Sequence, residues 1–163
     1  MGAGGDTAFA AIERSALAVA MRQELWLYPS VQILHILGFV MLVGAIVMLD
    51  LRLLGFSRQL PVRGLARHLL PWALGALIVI VPTGLLMFVA NAGDLVANRA
   101  FVAKLSLIFA AGINAAVFYA GPWRTVGQWD SGAATPAAAR MHAALSLIIW
   151  TGVIACGRLL AYL

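Results

Sequence analysis

A histidine inside a long apolar run is the first residue in this chain with chemistry to offer. His35 sits in Leu34-His35-Ile36-Leu37-Gly38, within the run 31–49. An imidazole in hydrocarbon is costly unless it faces a bundle interior or a partner, so an ionisable group in a span is a candidate for function. Two roles suit it: a hydrogen bond to a neighbouring helix, or ligation of a metal or a cofactor iron. Gly38 lies one turn along on the same face, where a flat ring or another backbone can come close. Lys104, in the third apolar run, and Arg158, in the last, are cations at comparable depth. They either snorkel to the surface or neutralise an anionic group held beside His35, such as the carboxylates of a porphyrin.

The other two histidines belong elsewhere. A helix rises ~1.5 Å per residue, which puts His35, Lys104 and Arg158 roughly 10 Å to one side of the bilayer middle and His68 and His142 roughly 15 Å to the other. His35 therefore cannot share one iron with either. His68 and His142 share a depth and can pair, or simply meet water and headgroups beside Arg67 and Arg140. Asp50 with Arg52 or Arg67 reads as an ion pair at the bundle end. Cys156, Met87 and His35 fall in one half of the bilayer, and thiolate, thioether and imidazole together suit Cu(I). Packing is the competing role for Cys156 and Met87. Asn114 reads as an interhelical hydrogen bond, and Tyr119 suits either packing or ligand contact.

The elements that must position these groups are membrane helices. Of 163 residues, 63% are hydrophobic and only 10% charged. Soluble domains carry about a quarter charged residues, so lipid has to cover apolar surface here. Four runs approach the ~20 residues that cross a bilayer. They are expected at 31–51, 68–90, 101–120 and 141–162. Pro71 falls in a first turn, and Pro82, in mid-span, predicts a kink. Residues 1–29 form an N-terminal segment ahead of a transmembrane domain at 30–163. Within it, 6–24 read as a short amphipathic helix along the interface, capped by Asp6 or Thr7. Trp26 and Tyr28 follow at headgroup level, and Pro29 breaks the chain. Residues 55–67, 91–100 and 121–140 read as loops. The expected fold class is an all-α integral membrane protein, a four-transmembrane-helix bundle preceded by a short interfacial amphipathic helix.

The same numbers exclude several functions. Net charge is +5, but no basic stripe interleaved with aromatics exists, so nucleic acid is not an expected partner. One cysteine rules out an intrachain disulfide. There is no HExxH, no phosphate-cradling glycine loop and no Ser/His/Asp set at workable depth, which speaks against a hydrolase. Arg52, Arg58, Arg63 and Arg67 crowd one short stretch. That bias places it on the cytoplasmic side and both termini on the periplasmic side, with the first span acting as the insertion signal.

Several segments together resemble a known group. They are Leu34-His35-Ile36-Leu37-Gly38, Leu49-Asp50-Leu51-Arg52-Leu53, Leu69-Leu70-Pro71-Trp72, Pro82-Thr83-Gly84-Leu85, Ala103-Lys104-Leu105 and Cys156-Gly157-Arg158. Over most of residues 30–163 the chain is similar to the four-helix membrane proteins around the HemJ-type protoporphyrinogen oxidases and the CopD-type copper-resistance proteins. Within that group it resembles an uncharacterised bacterial family with the same opening. The resemblance implies the bacterial inner membrane and haem b as cofactor. In HemJ-type proteins a first-span histidine and a lysine opening the third span go with haem and activity, and these carry over to His35 and Lys104. Two departures bear on the oxidase activity more than on porphyrin binding. Phe39-Val40-Met41-Leu42-Val43 stands where an aromatic-rich stretch is usual, and Tyr119 where a late third-span histidine is usual.

Three functions follow as expectations. The first is a b-type haem protein with His35 as axial ligand. Lys104 and Arg158 would meet the propionates or fill the other axial position. Its work would be electron transfer with a quinone or another redox partner, or porphyrin oxidation. The second is copper handling, with Met87, Cys156, His68 and His142 as further metal candidates. The third is a cofactor-free accessory subunit of a larger complex, or a homo-oligomer, docking through Gly112, Gly152 and Gly157.

Overall fold

A computed structural model describes residues 9–160 and 162. Among the described residues every regular element is helical, and four helices are long and apolar enough to cross a membrane. In chain order they are α1 (9–13), α2 (Ala16–Gln23), α3 (Leu27–Leu54), α4 (Val62–Ala90), α5 (Ala92–Ala97), α6 (Arg99–Ala120) and α7 (Ala137–Leu159), with a 3-10 turn at Pro122–Gln128 before α7. The four long helices α3, α4, α6 and α7 are the spans. The fold is an all-α four-helix bundle, as the apolar runs predict.

The helices outgrow the runs that announce them. At ~1.5 Å per residue, α3 and α4 are each roughly 42 Å long and overrun ~30 Å of hydrocarbon. The α4 helix therefore starts at Val62 rather than near His68, carrying Arg63 and Arg67 in its first turns. Pro29 does not break the chain ahead of α3. It sits in the helix's first turn, where its missing N–H would have had no intrahelical acceptor. The α4 helix runs on through both Pro71 and Pro82. Part of the expected polar loop 91–100 winds into α5, and Asn98 caps α6 by accepting from the Ala100 amide at 2.8 Å.

The N-terminal segment is also reshaped. The helix expected over 6–24 is interrupted at Arg14–Ser15, because the Ser15 hydroxyl starts α2 afresh by accepting from the Ala18 amide at 3.2 Å. Its expected caps, Asp6 and Thr7, lie outside the described residues. The α2 helix packs on α4 and α3, burying Met21 against Val31 and Ala90. Arg22 donates to Ala90 O at 2.6 Å, and the Glu13 carboxylate accepts from the Gly93 amide at 2.8 Å. Residues 9–23 are thus strapped over the end of the bundle where α4 turns into α5; we call this the head end.

The opposite, linker end holds the turn 55–61 and the stretch 121–136. Gly55, at φ 109°, closes α3 in the left-handed conformation that glycine adopts freely. Arg52 is 2% exposed and ties this end together. Its guanidinium donates to Leu60 O at 2.7 Å and to Arg58 O and Asp130 O at 3.0 Å each. Asp130 in turn caps α4 from a distance. Its carbonyl accepts from Val62 N at 2.9 Å and its carboxylate from Arg63 N at 2.7 Å. Leu53, Phe118, Val126, Trp129 and Ala139 form the apolar floor beneath.

Packing around the bundle is uneven. The α3 helix packs along α4, α6 packs along α7, and α3 against α7 joins the two pairs. The α4 and α6 helices meet mainly at the head end, where Phe88 and Phe101 stack with centroids 5.9 Å apart. Toward the linker end they leave a slot.

Candidate functional site

His35 is half-buried and faces α4. Its Nδ1 lies 3.2 Å from Ile80 O and 3.0 Å from Thr83 Oγ1. The Thr83 hydroxyl donates its single proton to Val79 O at 2.6 Å, so toward His35 it can only accept. Both partners of Nδ1 are then acceptors. Nδ1 carries the proton and Nε2 keeps a lone pair, with no partner for it among the described residues. This is the arrangement that orients an imidazole for ligation through Nε2. Gly84 makes the room: a Cβ there would sit 3.2 Å from His35 Cε1.

The other members of the expected site spread out. Gly38 is filled from α4, since a Cβ on it would meet Ile80 Cγ1 at 2.9 Å and Ala76 O at 3.4 Å. The glycine lets α3 and α4 close up. Lys104 is half-buried between α6 and α7, with Nζ 3.9 Å from where a Gly157 Cβ would stand and within Coulombic range of His35 and Cys156. Arg158 is exposed and turned along its own helix, donating to the Tyr162 hydroxyl with its guanidinium 4.9 Å from that ring's centroid. The structure therefore brings His35, Lys104 and Cys156 into one region and sets Arg158 apart.

The metal candidates are placed as follows. Met87 packs against the cluster of Met21, Val31 and Ala90. Cys156 is a half-buried free thiol. His68 is exposed and does not pair with His142. His142 instead pairs with Asn114, Nδ1 to Oδ1 at 2.7 Å, while the Asn114 amide donates to His142 O at 3.0 Å. Among the described residues no three of His, Cys, Asp and Glu gather to hold a metal ion. The expected ion pair of Asp50 with Arg52 or Arg67 does not form, because residues two apart on a helix point away from one another and Arg52 is committed to the linker end.

Asp50 opens instead onto a cavity of about 390 Å³ in the slot between α4 and α6. Its back wall is the α3–α7 seam, from Leu42 and Trp150 down to Asp50 and His142, and its sides are Leu69 to Leu77 on α4 and Ile108 to Tyr119 on α6. The lining residues on α3 run from 42 to 53, roughly 16 Å along the helix. Within it the polar groups gather toward the linker end. Asp50 is 6% exposed and its Oδ2 has no hydrogen-bond partner. The Ser146 hydroxyl faces the carboxylate from α7. The His142–Asn114 pair and Tyr119 complete the group. Toward mid-membrane the walls are Leu, Ile, Ala, Gly and Trp.

The cavity's polar end was only half visible in the sequence. Asp50 and Asn114 stand out as polar residues in apolar runs, yet each reads as a structural contact. Ser146 carries no signal alone. The available clue was the spacing His142, Ser146, Trp150, four residues apart on one face of α7. Thr83 and Gly84, which seat His35, announce themselves only as the residues after Pro82.

Residues 12–163 match DUF6644, a family of unknown function, and the chain belongs to that family. No curated protein and no solved structure matches it.

Proposed function

We propose that this DUF6644 protein is a membrane-embedded binding protein that takes a bilayer-dissolved amphiphile sideways into the slot between α4 and α6. One observation carries the reading: the slot is an apolar cavity whose polar groups, with a buried carboxylate that keeps one oxygen unpartnered among them, lie at one end. Its volume falls in the range of small-molecule sites, which are mostly apolar with a few convergent polar groups. Asp50 stands four residues from the end of α3, near the depth where hydrocarbon gives way to headgroups. An amphiphile lying in that leaflet already has its polar end at Asp50's depth and its chain toward Leu42. The narrowness of the slot suits a chain or a single ring.

Gly112 provides the test. It lines the slot, and nothing lies within 4 Å of where its Cβ would be. Gly112→Phe should fold normally and block entry. A diazirine-bearing alkyl phenol in nanodiscs should label slot residues of the wild-type protein and not of this variant. Equal labelling of both would refute lateral entry.

A second reading rests on His35. Its anchored Nδ1 and unpartnered Nε2 support the role of axial ligand to a b-type haem, with Lys104 nearby as a cation for a propionate. The haem would supply one-electron chemistry. The residues' own part would be to fix the imidazole through Thr83 and Ile80 and to hold an anionic edge. Purified protein expressed with haem supplied should then show a Soret band that His35→Ala abolishes. A colourless protein would end this reading and leave the first intact.

The arginines around the 55–61 turn support a cytoplasmic linker end in an inner membrane. With Cys156→Ser as background, Ser57→Cys should resist an impermeant thiol reagent in intact cells. Labelling there would reverse the orientation.

A further inference from the structure

The polar end of the slot is specific in its hydrogen-bonding character. The Asn114 amide nitrogen donates to His142 O at 3.0 Å, which leaves its Oδ1 to accept. His142 Nδ1, 2.7 Å from that oxygen, is then the donor, and the neutral ring keeps its lone pair at Nε2. Nε2 has no partner among the described residues, and neither has Asp50 Oδ2, on a side chain that is 94% buried. The slot thus ends in two open acceptors. Tyr119 lines the same end, and its hydroxyl, unbonded among the described residues, adds a donor to the group.

We infer that the slot selects amphiphiles whose polar end is a hydroxyl. This rests on the lateral-binding reading above and names its ligand class. A hydroxyl gives one proton, which Asp50 Oδ2 takes, and leaves the tyrosine O–H to serve either His142 Nε2 or the ligand oxygen. An ether or ester of the same shape accepts only, and would leave Asp50 Oδ2 buried without a partner. An ammonium carries a full charge that must be stripped of water among leucines, a far larger cost than desolvating a hydroxyl. The hydroxyl can be phenolic, as on an alkyl hydroquinone, or aliphatic, as on a long-chain alcohol. The acceptor pair is common to both.

The experiment is competition against the diazirine phenol in nanodiscs, with adducts mapped to slot residues. The competitors are decylhydroquinone and its dimethyl ether, decanol and decyl methyl ether, and decylammonium. Each hydroxyl compound should compete at least roughly tenfold better than its ether, the lower end of what one hydrogen bond to a carboxylate gives. Comparison of the first two pairs shows whether the ring or the chain is the natural body. Asp50→Leu should erase the preference while labelling of the slot persists. Hydroxyl compounds and ethers competing equally would overturn the hydroxyl class and leave lateral binding standing. Decylammonium outcompeting every hydroxyl compound would also overturn it. Adducts scattered outside the slot would bring down the lateral reading, and this inference with it.

Discussion

Arg52 is the residue whose loss should cost the fold most for its size. Its side chain is 2% exposed and donates three hydrogen bonds, to Leu60 O, Arg58 O and Asp130 O. A bond from a charged donor contributes about 1.5–3 kcal/mol, so three would set a ceiling near 9 kcal/mol. Two corrections bring it down. Residues 57–61 are exposed, so water can replace the guanidinium at Arg58 O and Leu60 O. The buried cation also has its own desolvation cost, with Nη1 left unpartnered, and that cost vanishes in an apolar replacement. What remains is about one charged bond at Asp130 and a fraction of the other two, or roughly 3 kcal/mol for Arg52→Met. At 2–4 °C per kcal/mol for a chain of this length, the melting temperature should fall by about 6–12 °C. Cys156 is the chain's single cysteine and is half-buried, so labelling by a thiol-reactive fluorophore during heating in detergent reports the transition. Arg52→Lys should recover only part, because an ammonium cannot span three carbonyls set for a planar fork. A melting temperature for Arg52→Met within a degree of wild type would refute the account of the linker end.

Three further outcomes follow from single contacts. Gly38→Ala should destabilise by about 1–3 kcal/mol, since its Cβ would strike Ile80 Cγ1 at 2.9 Å. Adding Ile80→Ala should cost less than the sum of the two single changes in the same melting assay. Asn114→Leu leaves His142 Nδ1 without a partner, while His142 O keeps its bond within α7, and should lower stability by about 1–3 kcal/mol. An unchanged melting temperature there would mean that water already reaches the pair. Asp50→Leu should leave the melting temperature equal or raise it, because it replaces a buried carboxyl with one oxygen unpartnered by an apolar group of similar size. A large drop would show Asp50 to be a structural anchor instead of a ligand contact.

The spans were legible because bilayer thickness sets their length and their apolar runs carry few charges. Their starts were not, because a helix end is decided by caps and turns, whereas the end of an apolar run marks only the edge of lipid. Val62 begins α4 where Asp130, 68 residues later in the chain, supplies the cap; no local window contains that residue. Ser15 was readable as a cap by type, yet Phe9, Ile12 and Ala16 carry an apolar period across it. His35 stood out because one imidazole in an apolar run is rare. The cavity did not, because most of its lining is ordinary leucine, isoleucine and alanine, and what makes it a cavity is the contact α4 and α6 do not make.

That missing contact has a cause in the connections. The link from α4 to α6 spans only Asn91–Asn98 with α5 wound inside it, so the two helices must lie together at the head end, where Phe88 meets Phe101. At the linker end α6 passes into the 3-10 turn, which folds against α6 and α7, and Asp130 then reaches across to the start of α4. Floor and roof are therefore fixed while the side between α4 and α6 stays open. In a bilayer such an opening fills with lipid chains, so an apolar slot by itself implies no selectivity. Lipid chains, however, offer nothing to the Asp50 carboxyl or to His142 Nε2. A protein needing only a filled slot would be better served by leucine at position 50, because a buried oxygen without a partner costs stability. The presence of these polar groups at the end of the slot nearest the headgroups is what separates a binding site from a packing defect, and it makes the chemistry of the polar end, rather than the size of the cavity, the decisive measurement.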